Sequence, residues 1–317
     1  MKRFKKILFV NDGITTNTQA LEKAVNLALS NKAGLTVVEV LDEFPADIQR
    51  VSVSSGMADI RTAVTEESYK RLNDLIAPIK KEGISVSGNV LWGTSWLEII
   101  REVLRNNHDL VMLSPQNKGK FMEMLFGSRI MHLMRKCPCP VWAIKPTRKR
   151  QYTRIVAAVN AVPEEDKETL LNMKIMELAT SMAQSETKSE LHIVHCWTQF
   201  FQKRIRGRTI LNQEQADSLN REAKKTQSQW LDRLVEKFNL EGISCKIHLL
   251  PGEPSEIIPQ LADKKKIDIV VMGTVARTGL SGFFIGNTAE RILQALDCSV
   301  LAVKPDGFET PVKIDSV

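Results

Sequence analysis

The apolar residues of this chain fall into short solid runs, separated by stretches where they recur every third or fourth place. Lys6–Val10 is one such run, as a strand covered on both faces of a parallel sheet requires. Ala20, Leu21, Ala24, Val25, Leu27 and Ala28 then make one helical stripe. Leu35–Leu41 reads as a β-branched strand introduced by Gly34. Helical spacing resumes over Glu66–Lys81 and stops at Gly83. Ile84–Leu91 reads as a third strand, Trp96–Asn106 as a helix and Leu110–Leu113 as a fourth strand. A helix at Arg129–Arg135 and a strand at Val141–Ile144 complete a βαβαβαβαβ order. That alternation implies an α/β fold with a parallel sheet, right-handed crossovers and ligands at the carboxyl ends of the strands.

The pattern then repeats. Glu82-Gly83-Ile84-Ser85 returns as Glu241-Gly242-Ile243-Ser244, and Asp109, Gly127, Cys139 and Lys145-Pro146 return as Asp268, Gly286, Cys298 and Lys304-Pro305, all 159 positions on. Ile7-Leu8 matches Ile155-Val156 at an offset of 148, so copy two carries 11 more residues. A period this long means two domains and not a solenoid. The expected domains are 1–147 and 152–308 with a tail at 309–317, joined by the polar connector Thr147–Gln151.

Candidate ligand residues sit where such sheets bind. Asp12 and Gly13 close the first strand, where a turn or helix cap is the plain reading and a carboxylate facing a ligand is the functional one. Copy two has Asn160 there. After its fourth strand, copy two runs Gly273-Thr274-Val275-Ala276-Arg277-Thr278-Gly279 and on to Gly286-Asn287-Thr288. Glycines between strand and helix let backbone amides approach an anion, and Asn287 or Thr288 can cap the helix or bind phosphate. A further segment, Phe200-Phe201-Gln202-Lys203-Arg204-Ile205-Arg206-Gly207-Arg208, reads as a loop over the carboxyl edge of copy two. It is either a solvated loop or a clamp in which Arg204 and Arg206, with Arg277 opposite, hold a phosphorylated, partly apolar ligand.

These duplicated units resemble the universal stress protein family in its tandem form. The resemblance rests on the Asp at the end of strand one, the Gly-rich loop and the final Cys-X-Val-X-X-X-Lys-Pro strand, and it covers nearly the whole chain. It implies two tandem Rossmann-like (adenine nucleotide alpha hydrolase-like) domains, each a five-stranded parallel sheet with helices on both faces. It also implies their pairing through Val141–Ile144 and Val300–Val303 as an intrachain pseudo-dimer. In nucleotide-binding members a Gly, two residues, Gly, nine residues and Gly-Ser/Thr wrap the ATP phosphates. Copy two has Gly273 and Gly286, with Ala276 and Asn287 at the other two places. Copy one keeps Asp12 and Gly127-Ser128, with Ser114 and Asn117 in place of the earlier glycines. The expected ligand is therefore ATP, AMP or another phosphorylated molecule, mainly in copy two, with no metal beyond Mg accompanying a nucleotide.

Composition narrows the class. The chain of 317 residues is 43% hydrophobic and 26% charged, in the range of soluble globular proteins. The basic start MKRFKK precedes an apolar stretch too short for a signal peptide, and no run approaches membrane-spanning length, so a cytoplasmic location is expected. Five cysteines without a CxxC pair suit structural thiols in a reducing compartment, Cys137 and Cys139 included. The formal charge of +7 leaves room for an anionic ligand. Nucleic acid is an unfavoured partner, because basic runs such as Lys264-Lys265-Lys266 lack interleaved aromatics. His192 and His195, three apart on one strand, point to opposite faces and make a poor metal pair. No nucleophile–base–acid set and no HxGH or SGGxDS motif points to a ligase. The reading is a stress-response ligand-binding or regulatory protein and not an enzyme, with slow ATP hydrolysis left open; an interaction protein without a small ligand is the alternative.

Overall fold

The structure is a computed structural model that describes residues 4–12, 18–44, 57–115, 126–147, 151–162, 166–185, 188–200, 203–205, 208–274 and 286–314, with the side chains of 57–59, 166–169, 203–205 and 208–211 outside the description. The chain divides into two compact units, one built on Met1–Arg150 and the other on Gln151–Arg277 with Ile285–Gly307.

Unit 1 contains β1 (Lys6–Asn11), α1 (Thr18–Asn31), β2 (Gly34–Leu41), α2 (Met57–Lys80), β3 (Val86–Trp92), α3 (Ser95–Asn106), β4 (Leu110–Leu113), α4 (Ser128–Lys136) and β5 (Val141–Ala143). Its strands are all parallel, in the order β3-β2-β1-β4-β5. The chain reverses direction across the sheet between β1 and β4, which places the switch point there. The solid apolar runs are the fully covered strands: Ile7, Leu8, Leu110, Met112 and Leu113 are buried, as are Ile99, Ile100 and Leu133 of the helices. α2 begins nine residues before the pattern predicts. Residues 60–63 near its start are exposed, and Leu72, Ile76 and Ile79 carry the buried face.

Unit 2 contains β6 (Arg154–Ala158), α5 (Asp166–Ser185), β7 (Glu190–Trp197), β8 (Lys203–Ile205), β9 (Arg208–Leu211), α6 (Gln213–Val235), β10 (Ser244–Pro251), α7 (Pro254–Lys265), β11 (Ile269–Gly273), α8 (Asn287–Ala295) and β12 (Ser299–Val303). Its parallel order, β10-β7-β6-β11-β12, is that of unit 1. The sheet register also locates the extra residues of this copy. Lys6 pairs with Gly34 and Arg154 with Glu190, so the offset grows from 148 to 156 between the first two strands. Thr36 pairs with Ser87 and His192 with Lys246, which brings it to 159 by the third. α5, at 20 residues against 14 in α1, takes most of the difference.

The segment expected to be a loop at 200–208 is a correction: β8 and β9 pair antiparallel, Arg204 opposite Thr209. The hairpin leads into α6, whose start is a capping box of Asn212 and Gln215. The repeated aspartates explain themselves at the other end of the strands. Asp109 accepts from the N–H groups of Lys5 and Lys6, and Asp268 from those of Thr153 and Arg154 and from the Thr153 hydroxyl. They tie down the start of the first strand in each unit, far along the sheet from the carboxyl edge.

Candidate functional site

In unit 2 the carboxyl ends of β6 and β11 lie side by side at the switch point. Asn160 follows β6. Its N–H donates to Asn172 Oδ1 at 2.9 Å, and Asn172 Nδ2 donates back to its carbonyl, so a buried side chain of α5 holds the turn. His195 holds the next residue. Its Nε2 lies 2.7 Å from Gln227 Oε1, which leaves Nδ1 to accept from Ala161 N–H at 3.3 Å. His192 points to the other face, toward His248, so the two histidines are apart as strand geometry requires.

Gly273 ends β11. A Cβ there would stand 2.8 Å from Leu171 Cδ2, so a side chain of α5 lies close over this glycine. Thr274 is fully buried, and its carbonyl accepts from Gly286 N–H at 3.3 Å. One hydrogen bond thus ties the start of α8 to the end of β11. Ala276, Arg277 and Gly279 fall within that segment and lie outside the described residues, as does Arg206. Arg204 belongs to β8, and its side chain lies outside the description too.

α8 starts at Gly286, its N-cap, which offers no side-chain cap bond. Asn287 and Thr288 do not cap the helix as the sequence suggested; they occupy its first turn, exposed. A glycine N-cap leaves the first amides of the helix to solvent or to an anion. Near the hairpin, Phe200 is 47% exposed, its N–H and carbonyl both held by the Asn220 side chain at 2.8 Å.

Unit 1 builds the same frame with other side chains. Gly127 is the N-cap of α4, again without a side-chain cap bond, and Ser128 is exposed in the first turn. Ser114 is buried, and its hydroxyl donates to the Ile144 carbonyl at 3.2 Å, joining the end of β4 to the end of β5. Asp12 follows β1, half-buried. The residue that sequence reasoning missed is Arg129, beside Ser128. Burial lowers its hold on the proton, while Asp12 and Asp42 act to restore it, so a guanidinium and two carboxylates share this edge. Comparing Arg129 with its counterpart Thr288 was the available signal. Where copy one has the charged Asp12 and Arg129, copy two has the uncharged Asn160 and Thr288.

The cysteines are packing residues. Cys137 and Cys139 are buried with their sulfurs 3.6 Å apart, and Cys137 together with burial pushes the Cys139 thiol up. The counterpart of Cys137 is Leu296, also buried. Burial and then Glu253 push Cys196 up to about 11. Among the described residues, no three His, Cys, Asp or Glu side chains are grouped to hold a metal, and no helix is long and apolar enough to cross a membrane.

The model of the universal stress protein family matches residues 3–145 and again 151–304. The chain is 30% identical to universal stress protein E of Salmonella typhi, over 99% of both proteins. A functionally unknown protein from Pseudomonas aeruginosa PAO1 superposes with a TM-score of 0.73 at 25% identity, over 97% of this chain and 95% of that one. A universal stress protein from Archaeoglobus fulgidus shares the fold at 16% identity, with a TM-score of 0.62 over 94% of this chain and 98% of its own.

Proposed function

This chain belongs to the universal stress protein family, in its tandem form, and from that premise we propose that it is a cytoplasmic stress-response protein whose second unit binds a phosphorylated small molecule at the carboxyl edge of β6 and β11. The observation that carries this reading is the start of α8. Gly286 is hydrogen-bonded to Thr274 at the end of β11, and the first turn of α8 lies exposed with no side-chain cap at the switch point of the sheet. Such a helix start attracts an anion through its amides and its partial positive charge. Asn160 at the end of β6 supports the same reading, because it adds no negative charge to repel a phosphate.

Unit 1 supports the contrast. Asp12 and Arg129 supply each other's counter-charge there, so an added phosphate would compete with a carboxylate for the guanidinium. ATP or AMP is the first candidate. A phosphorylated ligand with an apolar part is the second reading, favoured by the exposed ring of Phe200 anchored beside the hairpin that carries Arg204 and Arg206. The function is binding and signalling rather than catalysis.

The test is mass spectrometry of small molecules released when the freshly purified full chain is denatured, followed by calorimetric titration with ATP and AMP. A released nucleotide, or saturable binding that Gly286→Asp weakens at least about tenfold, is the expected result. A released phosphorylated amphipathic molecule would select the second reading. No phosphorylated molecule and no heat with either nucleotide would overturn both and leave an interaction protein.

A further inference from the structure

Toward the amino ends of β1, β2 and β3, away from the edge described above, unit 1 has a cavity of about 420 Å³. That size falls in the range, roughly 300–1,000 Å³, of small-molecule sites. Its deepest polar groups are Glu102 of α3 and His108, just before β4. The His108 side chain is 4% exposed, and neither ring nitrogen has a hydrogen-bond partner among the described residues. Its Nε2 stands 3.6 Å from Glu102 Oε1, an ion-pair distance longer than a hydrogen bond. His108, against the opposing effect of burial, holds the Glu102 carboxyl below its ordinary range, and Asn106 Nδ2 donates to it at 2.8 Å. A buried imidazole with Nδ1 unmet and Nε2 held only by a long ion pair calls for a closer partner, and the cavity it lines is where one would stand.

Unit 2 provides an internal control. α3 and α7 are both 12 residues long and both end in a left-handed residue, Asn107 and Lys266, so their positions correspond. At the places of Glu102 and His108 unit 2 has Leu261 and Ile267, both buried. The fold is therefore satisfied by apolar side chains here, and the polar pair of unit 1 serves something else. The facing strands differ in the same sense. Thr36 and Ser87 pair across β2 and β3, their hydroxyl oxygens 3.3 Å apart. Their counterparts are His192 and Lys246, and that of Asn89 is His248. His192 Nδ1 and His248 Nε2 meet at 2.9 Å with stacked rings, and Glu190, where unit 1 has Gly34, contacts Lys246. Unit 2 fills with its own side chains the space that unit 1 leaves open.

We propose that this cavity of unit 1 is a second binding site, specific for a neutral, hydroxyl-rich small molecule of monosaccharide size. The lining combines hydroxyls, two amides, a carboxylate and an imidazole, the donor and acceptor set that a polyol satisfies. A carboxylate accepting from ligand hydroxyls makes the stronger, charge-assisted kind of bond. Lys6, the cation of the lining, already donates to the Asn106 carbonyl at 3.1 Å, and its charge balances Glu102, so the cavity does not select for an anion.

The test is proton NMR of the histidine rings of the full chain, titrated with glucose, ribose and myo-inositol; the His108 signal is the one missing from His108→Gln. The proposal expects one of these probes to move that signal saturably. The copy-two residue Thr36→His should then raise Kd at least about tenfold by filling the cavity. Ser87→Lys, on the exposed rim, is the second filling variant should Thr36→His fail to fold. A His108 signal unmoved by all three probes, or a response that persists unchanged in a folded filling variant, would overturn the proposal.

Discussion

The two units share a strand order, a register and the lengths of their last two helices, yet they differ at both ends of the sheet, and in opposite senses. At the carboxyl edge both units have a helix start without a side-chain cap, but in unit 1 the charges of Asp12 and Asp42 act on Arg129 beside it, where unit 2 has the uncharged Asn160 and Thr288. Toward the amino ends it is unit 2 that is self-filled, by the stacked His192 and His248, and unit 1 that is open. On the two proposals above, a duplicated fold moves its binding capacity from one place to another while leaving its core alone. The residues that change line surfaces and cavities. The residues that stay, such as Asp109 and Asp268, hold strand to strand.

The largest expected effect breaks the filled region of unit 2. His192→Thr, the residue of copy one, removes a fully buried ring stacked on His248 and leaves a polar hole. Urea unfolding should show a loss of about 2–4 kcal/mol, the range of large-to-small core changes. The reverse change, Thr36→His, enters existing space and should shift the same midpoint far less. Equal losses from both would mean that the cavity of unit 1 is not open to a side chain.

A smaller effect sharpens the part the units share. Asp268→Ala removes the acceptor of two backbone N–H groups and one hydroxyl, against two N–H groups for Asp109→Ala. The expected costs are about 1–3 kcal/mol, larger for Asp268→Ala. Neither change should alter ligand affinity at the carboxyl edge, which calorimetry checks.

The smallest effect is a difference in pH dependence. Burial lowers the proton affinity of both His192 and His248, with Lys246 and Lys265 adding to it and Glu190 opposing. The folded pair takes up protons less readily than the unfolded chain, whose histidines do so below about pH 6.5. The unfolded state then binds more protons, so stability falls as pH drops from about 7 toward 5. His248→Asn, again the copy-one residue, should flatten that slope when urea midpoints at about pH 7.5 and 5.5 are compared. An unchanged slope would remove the pair from the account.

Much of this was legible from residue order, because burial on both faces of a parallel strand leaves a local mark. The solid runs at Lys6–Val10 and Leu110–Leu113, the helical stripe from Ala20 to Ala28 and the constant spacing of repeated residues are local signals, and they carry the α/β class and the duplication. Family membership followed from the same motifs. Features that depend on side chains meeting across the sheet left no such mark. Nothing around Gly273 told that Leu171 needs the space, so it read as a phosphate-loop glycine; its spacing from Gly286 matched that motif equally well. The electrostatic influence of Asp12 on Arg129 acts between residues 117 positions apart, and the cavity joins His108 with Thr36 and Ser87 from three segments. Sequence periodicity determined which residues go inside, since burial of apolar area follows spacing along one element. Only the tertiary structure decided which polar residues face one another and where room is left between them, since that depends on register between strands distant in the chain.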